Sequence, residues 1–206
     1  MEKNAKLNFY TIEVIKMKLL ITKYLPYYLV LLGLFSSVSH SADIKAGEEL
    51  AKKCTACHGA KGISSNPQWP ILAGQQPAYL GAQLKAFKKG SRKNPVMENM
   101  VNNLSEEDFN NLAAYFASLK SGSSGGDPEL AKTGKTKFSM CAGCHGSKAE
   151  GRGVFPRLAG QHPEYIAKQL KNFKNGSRSG GPMSGIASSL SDDDIAAIAA
   201  YLGSIK

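Results

Sequence analysis

The pattern Cys-x-x-Cys-His occurs twice in this chain, at residues 54–58 and 141–145, and uses all four cysteines. Two thiols three residues apart can each form a thioether with a vinyl group of a porphyrin, while the imidazole of the next residue reaches the iron. The repeated motif therefore predicts two covalently attached haem c groups. Its cysteines would form the thioether bonds and its histidines would be axial ligands: Cys54, Cys57 and His58 in the first copy, and Cys141, Cys144 and His145 in the second.

Paired cysteines have two other common roles. One Cys-x-x-Cys pair can form a redox disulfide, and two such pairs can form a four-cysteine zinc site. Neither role requires a histidine directly after the second cysteine, and the 87 positions from Cys54 to Cys141 are long for a zinc ribbon. Haem attachment is the favoured interpretation, and zinc and a disulfide remain the alternatives.

The N-terminal segment has the order of a secretory signal peptide. Lysines 16, 18 and 23 precede an apolar run over residues 25–38, which small residues follow. An apolar run of about 14 residues is short for a membrane span, so an uncleaved anchor is the less favoured alternative. We predict a signal peptide over residues 1–42, cleaved between Ser39 and Asp43, with Met17 as a possible true start. The mature protein would then reside in the periplasm.

The balance of charge in the remaining chain limits its partners. Residues 43–206 carry 21 basic and 14 acidic side chains, a net charge of +7, which four haem propionates would partly offset. A basic protein can bind nucleic acid, an anionic membrane surface or an acidic protein. Export with haem disfavours nucleic acid, so we expect acidic redox partners and allow for peripheral membrane association.

The mature chain is an internal duplication. Residues 69–75 align with 155–161, and residues 104–115 align with 190–201. We therefore predict two like domains, called lobe 1 (residues 43–120) and lobe 2 (residues 127–206). The Gly/Ser-rich residues 121–126 between them have a composition typical of a flexible linker.

Each lobe has the pattern of helices with long loops. A short helix is predicted before each motif, over residues 46–53 and 129–138, and no segment shows the alternation of a strand. Further helices are predicted from Pro77 and Pro163 to the glycines at 90 and 176. The last helices are predicted after serine N-caps, with an aspartate three residues on: Ser105 with Asp108, and Ser191 with Asp194. The chain is thus predicted to be all-α, with lobes small enough to need a haem at the centre of each core.

The sixth ligand of each iron decides between electron transfer and catalysis, because a methionine closes the site and an open position admits substrates. In lobe 2, Met140 abuts Cys141 and cannot reach the opposite face, which leaves Met183. Met97 lies seven residues before Leu104, just as Met183 lies seven residues before Leu190. We therefore predict Met97 and Met183 as axial ligands.

Met100 and His162 are the other candidates for an axial ligand. Met100 aligns with Ile186 and is predicted to be a core residue. His162 aligns with Gln76, and a lone loop histidine of this kind is predicted to lie on the surface.

The order of these features resembles the class I cytochrome c fold: a Cys-x-x-Cys-His motif, a proline-containing loop, an axial methionine and a terminal amphipathic helix. The duplication, with its Leu-Ala-Gly-Gln loops and a short linker after an export signal, resembles the cytochrome c4 family of dihaem proteins. This resemblance covers essentially all of residues 43–206. It implies two tandem class I cytochrome c-like domains with their haems close together, passing single electrons between respiratory-chain components, in particular to a terminal oxidase.

The resemblance also implies roles for residues outside the motifs. The carbonyls of Pro70 and Pro156 would accept the Nδ1 proton of His58 and His145. Side chains that could contact haem propionates are those of Tyr79, Tyr165, Arg92 and Arg178, although each could equally be an ordinary helix or loop residue.

Lysines recur on one face of the second helix of each lobe: Lys85, Lys88, Lys89, Lys168, Lys171 and Lys174. They could dock an acidic redox partner, although a simply solvated face is the slightly favoured interpretation.

Three functions are compatible with these features. The favoured one is an electron carrier that transforms no small-molecule substrate and is not an enzyme. The alternatives are the haem subunit of a flavocytochrome-type dehydrogenase and a dihaem peroxidase. A predicted methionine on the sixth position of each iron leaves no open site for peroxide, and no spare histidine is at hand to serve as a distal residue. Both points disfavour the peroxidase.

Overall fold

The computed structural model describes residues 13–24 and 41–206. The chain divides into two units, Met1–Ser41 and Ala42–Lys206. In the first unit, residues 13–24 are helical and exposed, and the predicted apolar run over residues 25–38 lies outside the described residues. None of the helices in the described ranges is long and apolar enough to cross a membrane.

Lobe 1 is built from five α-helices and two 3-10 turns within the second unit. The helices are α1 (Ile44–Ala51), α2 (Thr55–His58), α3 (Pro77–Lys88), α4 (Pro95–Val101) and α5 (Glu106–Ser118), and the turns are Lys52–Cys54 and Ala60–Gly62.

Lobe 2 repeats this order. Its helices are α6 (Pro128–Lys137), α7 (Ala142–His145), α8 (Pro163–Lys174), α9 (Pro182–Ser188) and α10 (Asp192–Ser204), with one 3-10 turn at Phe138–Met140. Over residues 13–24 and 41–206, the β-structure amounts to an isolated bridge between Arg152 and Phe155. The all-α prediction is confirmed. Helices α4 and α9, which carry the two candidate methionines, were not predicted.

The predicted serine caps begin the last helix of each lobe. In lobe 1 the Ser105 hydroxyl accepts from the Asp108 amide at 3.1 Å, and Asp108 Oδ2 accepts from the Ser105 amide at 2.7 Å. Ser191 and Asp194 make the same reciprocal pair at 3.0 and 2.9 Å. These capping boxes satisfy amides that the helix itself leaves unbonded, so the start of α5 and of α10 is fixed by local sequence.

The first and last helices of each lobe cross in close contact at a glycine. A Cβ placed on Gly47 in α1 would lie 2.1 Å from the Asn111 carbonyl oxygen in α5. A Cβ on Gly134 in α6 would lie 1.9 Å from the Ala197 carbonyl oxygen in α10. Both distances are too short for any side chain, so the crossing requires glycine at these two equivalent positions.

The two lobes organise their cores differently. Lobe 2 has one cluster of ten buried residues, centred on α8 and α10, against which Cys141 and Met183 pack. Lobe 1 has a cluster of five buried residues beside Cys54 and a separate cluster of three beside Met97. Leu84 and Leu104 border both clusters of lobe 1.

Residues 121–126 form no helix but contact lobe 2. The Ser124 amide donates to the Gly160 carbonyl at 3.1 Å, and the Ser124 hydroxyl donates to the Gln161 carbonyl at 3.0 Å. The Ser123 hydroxyl donates to the Gly203 carbonyl at 3.3 Å. These bonds restrict a segment whose composition alone suggested free movement.

Candidate functional site

Each Cys-x-x-Cys-His motif ends in a single turn of α-helix that follows a 3-10 turn, and Cys141 lies between these two elements in lobe 2. In lobe 1, Cys54 ends the 3-10 turn, and Cys57 and His58 lie on α2. Gly59 follows with φ +77°, a left-handed conformation that ends the helix directly after the histidine. Gly146 ends α7 in the same way, with φ +85°. The three motif side chains of each lobe are therefore presented from one compact turn.

Both motif histidines are buried and held by a carbonyl. His58 Nδ1 lies 2.9 Å from the Pro70 carbonyl oxygen, and His145 Nδ1 lies 3.0 Å from that of Pro156. Since a carbonyl only accepts, each Nδ1 carries the proton and each Nε2 carries a free lone pair. The two proline contacts that the family resemblance implied are thus present.

Burial keeps these imidazoles in the form that binds iron. His58 is 9% exposed and His145 is 6% exposed. Removal from water lowers the pKa of both rings, and the proline carbonyls only partly oppose this effect. A neutral imidazole with a fixed tautomer is the form that ligates a metal.

The zinc and disulfide alternatives find no support in the described part of the chain. No disulfide joins any two of the four cysteines, all of which lie in the described residues. Burial raises the pKa of Cys54 and Cys141, so both are neutral thiols before haem is attached. Within residues 13–24 and 41–206, no three histidine, cysteine or acidic side chains gather into a group that could hold a metal ion.

Met97 and Met183 are the methionines that contact the lobe cores. Met97 packs against the cluster that contains Phe109, and Met183 packs against the same cluster as Cys141. By contrast, Met100 is 42% exposed and Met140 is 57% exposed. Met100 is therefore a surface residue, and its predicted place in the core is wrong.

His162 is buried between the lobes, and the prediction that it lies on the surface is wrong. It is only 8% exposed, and its Nε2 lies 2.9 Å from the Ser64 hydroxyl and 3.0 Å from the Ser64 carbonyl oxygen. Its repeat partner Gln76 also reaches across, donating to the Glu150 carbonyl at 3.0 Å. Burial of His162 comes from lobe packing, which no local pattern in the sequence reveals.

The two arginines implied in propionate binding meet at the lobe interface. Arg92 donates to Gln83 of its own lobe at 2.8 Å and, in the other lobe, to the Tyr165 hydroxyl at 2.9 Å and Gln169 at 3.1 Å. The pattern is reciprocal: Arg178 donates to Gln169, Tyr79 and Gln83 at 2.7, 3.1 and 2.9 Å. Each guanidinium thus binds side chains of both lobes.

The charge of these guanidiniums is not balanced by the protein around them. Arg178 is only 8% exposed, yet neither arginine forms an ion pair with a carboxylate among the described residues. Neutral amides and phenols satisfy the donors without supplying negative charge, so the cluster fits an added anionic group. Two haems, each with propionates, match this requirement, and each histidine has a free Nε2 for an iron.

Several of the aligned lysines already have intramolecular partners. Lys85 pairs with Glu106 at 2.7 Å, and Lys88 donates to the Leu104 carbonyl just before α5. Lys174 donates to the equivalent Leu190 carbonyl at 2.6 Å. These contacts tie α3 to the start of α5 and α8 to the start of α10, so some of these lysines have a structural role.

Sequence reasoning missed two kinds of residue near the site. Asn94, whose side chain caps α4 at Met97, has no equivalent in the second copy of the repeat. Gln75 and Gln161 cross the lobe interface, and their exact repetition was a signal that could have identified them.

Comparisons with known proteins agree with the fold and the motifs. The sequence model of the family described as Cytochrome c matches residues 44–120 and 131–206. Cytochrome c4 of Pseudomonas aeruginosa is 40% identical over 195 residues, which span 87% of this chain and 97% of that relative.

Two further similarities are informative. The crystal structure of reduced recombinant cytochrome c4 from Pseudomonas stutzeri superposes with a TM-score of 0.76 at 38% identity, covering 80% of this chain and all of that one. A protein of Thiomonas intermedia named thiosulfate dehydrogenase electron acceptor is 39% identical over 170 residues, or 74% of this chain and 78% of the relative.

The two tandem cytochrome c domains and the two attachment motifs account for two covalently bound haem c groups, and the similarity extends over almost the full length of the two cytochrome c4 relatives. The chain belongs to the cytochrome c family and, within it, to the cytochrome c4 family of dihaem electron-transfer proteins.

Proposed function

We propose that this protein is a periplasmic carrier that moves single electrons from a donor protein to a terminal oxidase of the respiratory chain. The observation that carries the proposal is the pair of equivalent imidazoles, each buried and held by a proline carbonyl with Nε2 free. Each of them shares its lobe with a methionine packed on the core.

The axial ligands of this proposal are His58 with Met97 in lobe 1 and His145 with Met183 in lobe 2. Cys54 and Cys57, and Cys141 and Cys144, form the thioether bonds. When bound, each haem supplies a one-electron couple between ferric and ferrous iron. A methionine on the sixth position leaves no place for a substrate, so the residues favour electron transfer over bond chemistry.

Arg92 and Arg178 have a second role in this proposal. Their guanidiniums, which lack carboxylate partners among the described residues, bind the propionates of the two haems at the lobe interface. Tyr79 and Tyr165 orient the guanidiniums through the hydroxyl contacts at 3.1 and 2.9 Å. Arg92 and Arg178 would thus hold the propionates of both haems from the contact between the lobes.

The electron donor is the less defined partner. The relative named thiosulfate dehydrogenase electron acceptor supports a dehydrogenase as the donor. In that second candidate function, the chain receives electrons from a sulfur-compound dehydrogenase and acts as its partner, which is close to the dehydrogenase-subunit alternative.

Export and domain organisation complete the proposal. Residues 1–42 are removed as a signal peptide, residues 43–120 and 127–206 form the two haem domains, and residues 121–126 connect them. N-terminal sequencing of the mature protein tests this directly, because a first residue between 40 and 43 is expected. A mature chain that still begins at residue 1 or 17 would exclude cleavage.

The ligands are tested by replacing each methionine in the holoprotein. A sulfur-to-iron bond gives a weak near-infrared band in the oxidised spectrum, so Met97→Ala and Met183→Ala should each remove about half of it, and the double variant all of it. Met100→Ala is the matched control, because its exposed side chain should leave the band intact. A wild-type protein without the band, or a full band in either single variant, would refute the assigned ligands.

A further inference from the structure

One glutamine side chain of each lobe forms two hydrogen bonds with the backbone of the other lobe. Gln161 Oε1 accepts from the Ile71 amide at 2.8 Å, and Gln161 Nε2 donates to the Ile71 carbonyl at 2.9 Å. Gln75 does the same to Arg157, with distances of 2.7 and 2.9 Å. Both glutamines are only 7% exposed, so water competes little for these four bonds.

The backbone amide that donates to each glutamine belongs to the same peptide group as the carbonyl that accepts from a motif histidine. The Ile71 N–H and the Pro70 carbonyl are the two ends of one peptide unit, and that carbonyl accepts from His58 Nδ1 at 2.9 Å. The Arg157 N–H and the Pro156 carbonyl are related in the same way, with His145 Nδ1 at 3.0 Å. A chain of two hydrogen bonds therefore runs from the glutamine of one lobe to the imidazole of the other.

Hydrogen bonds joined through one peptide group strengthen each other. Donation by the Ile71 N–H increases the negative charge on the Pro70 carbonyl oxygen and makes it a better acceptor. A better acceptor draws the His58 Nδ1 proton more strongly and makes Nε2 a more electron-rich ligand. An electron-rich ligand stabilises ferric iron relative to ferrous iron and so lowers the reduction potential.

We propose that Gln161 and Gln75 are positioning residues that lower the reduction potential of the haem in the opposite lobe. The proposal rests on the proposed ligation by His58 and His145 and goes beyond it, because it assigns control of each iron to a side chain of the other lobe. Docking of the lobes thereby becomes a determinant of both potentials.

Other contacts across the interface do not reach these two peptide groups. The side chain of Gln76 donates to the Glu150 carbonyl, which is not part of the peptide group between Pro156 and Arg157. Gln76 therefore provides a control with the same side chain and a single hydrogen bond across the lobes.

The test is a redox titration of the holoprotein, followed by amide NMR so that the resonances of each lobe report its own haem. Gln161→Leu should raise the potential of the lobe 1 haem by about threefold in the one-electron equilibrium constant, or about 28 mV at about 59 mV per tenfold change. Gln75→Leu should raise the lobe 2 potential instead, and Gln76→Leu should move neither. The Nδ1–H resonance of His58 should shift upfield in Gln161→Leu, as expected for a weaker hydrogen bond.

The proposal requires that each glutamine substitution shift the potential of the haem in the opposite lobe. Equal shifts of both haems in all three variants, a shift confined to the lobe that carries the substitution, or no shift would each overturn it. The wild-type oxidised spectrum is recorded first, because a missing His/Met signature there counts against the proposed ligands and not against the coupling.

A second pair of variants covers the case in which leucine separates the lobes, as detected by small-angle X-ray scattering. Gln161→Glu keeps the acceptor and strengthens it, so the lobe 1 potential should fall more than the lobe 2 potential. Gln75→Glu adds the same charge at the equivalent position and should give the opposite order. Identical responses of the two haems to both glutamates would show a general charge effect and refute the proposal.

Discussion

The two lobes place their candidate methionine ligands by different local devices. In lobe 1 the Asn94 side chain caps α4 by accepting from the Met97 amide at 3.1 Å, and the Asn94 amide donates to Glu98 at 2.9 Å. In lobe 2 the residue before α9 is Gly181, with φ +52° and no side-chain cap. There the Met183 amide donates to the Gly180 carbonyl at 3.1 Å.

This difference shows which part of a duplicated site tolerates change. The side chains with a chemical role recur at aligned positions in both lobes, whereas the residues that begin the methionine-bearing helices differ. A side-chain cap and a glycine turn can each bring a methionine to the core, because both only need to satisfy the first amides of a short helix. The cores differ as well, with one continuous cluster in lobe 2 and two smaller ones in lobe 1.

The largest expected effect comes from removing one haem at a time. Replacing both cysteines by alanine in lobe 1 (Cys54, Cys57) or in lobe 2 (Cys141, Cys144) should unfold the affected lobe, because lobes of this size lack a sufficient core of their own. The loss should be greater in lobe 1, where the haem would be needed to join two separate clusters. Near-ultraviolet circular dichroism and amide NMR dispersion measure the loss. Equal residual structure in both variants would contradict the contrast between the cores.

The next effect tests the two ways of holding the methionine. Gly181→Ala places a side chain on a residue with φ +52°, which only glycine adopts readily. The variant should lower the free energy of unfolding by about 1–3 kcal/mol. Asn94→Ala removes a helix cap and should cost about 1 kcal/mol. Chemical denaturation measures both values.

The control for these variants is Gly185→Ala within α9, where a new Cβ meets no neighbouring atom. It should be neutral or stabilising by about 0.5–1 kcal/mol, because alanine favours a helix over glycine. If Asn94→Ala proved as harmless as Gly185→Ala, the two lobes would not differ in the way they hold methionine.

The smallest effect concerns the capping aspartates and depends on pH. Lys137, followed by the Ser191 cap contacts, lowers the pKa of Asp194 from 3.8 to about 2. A carboxyl group with a depressed folded-state pKa stabilises the fold above its ordinary pKa, and this stabilisation is lost as the pH falls from about 4 through about 2. Asp194→Asn should therefore lower Tm slightly at neutral pH and have a smaller effect on Tm as the pH falls to 2.

Asp108 is the matched position in lobe 1, with the same capping box but no lysine ion pair among the described residues. Asp108→Asn should lower Tm at neutral pH by less than Asp194→Asn does. Thermal unfolding over pH 2–7 compares the two variants. A larger effect at Asp108 would show that the lysine pair does not distinguish the lobes.

Much of this protein could be predicted from local sequence. The positions of α5 and α10 follow from capping serines and aspartates that act within one helical turn, and both were predicted with their caps. The start of α3 and of α8 follows from Pro77 and Pro163, which fit the first turn of a helix. Helices α4 and α9 were missed because seven residues are too few to show helical periodicity.

The sequence by itself determined the chemistry. The attachment motif acts over five consecutive residues, and the duplication aligns every residue with a chemical role, so haem attachment, the two lobes and the candidate methionines need no tertiary information.

Only the tertiary structure decided which side chains meet across the lobes. The burial of His162, the shared arginines and the glutamines that grip the proline loops join residues about 70 to 100 positions apart. Such contacts depend on how two folded lobes pack against each other, and that packing is set by the summed burial and hydrogen bonding of both surfaces. Short-range sequence patterns therefore do not predict how the lobes pack.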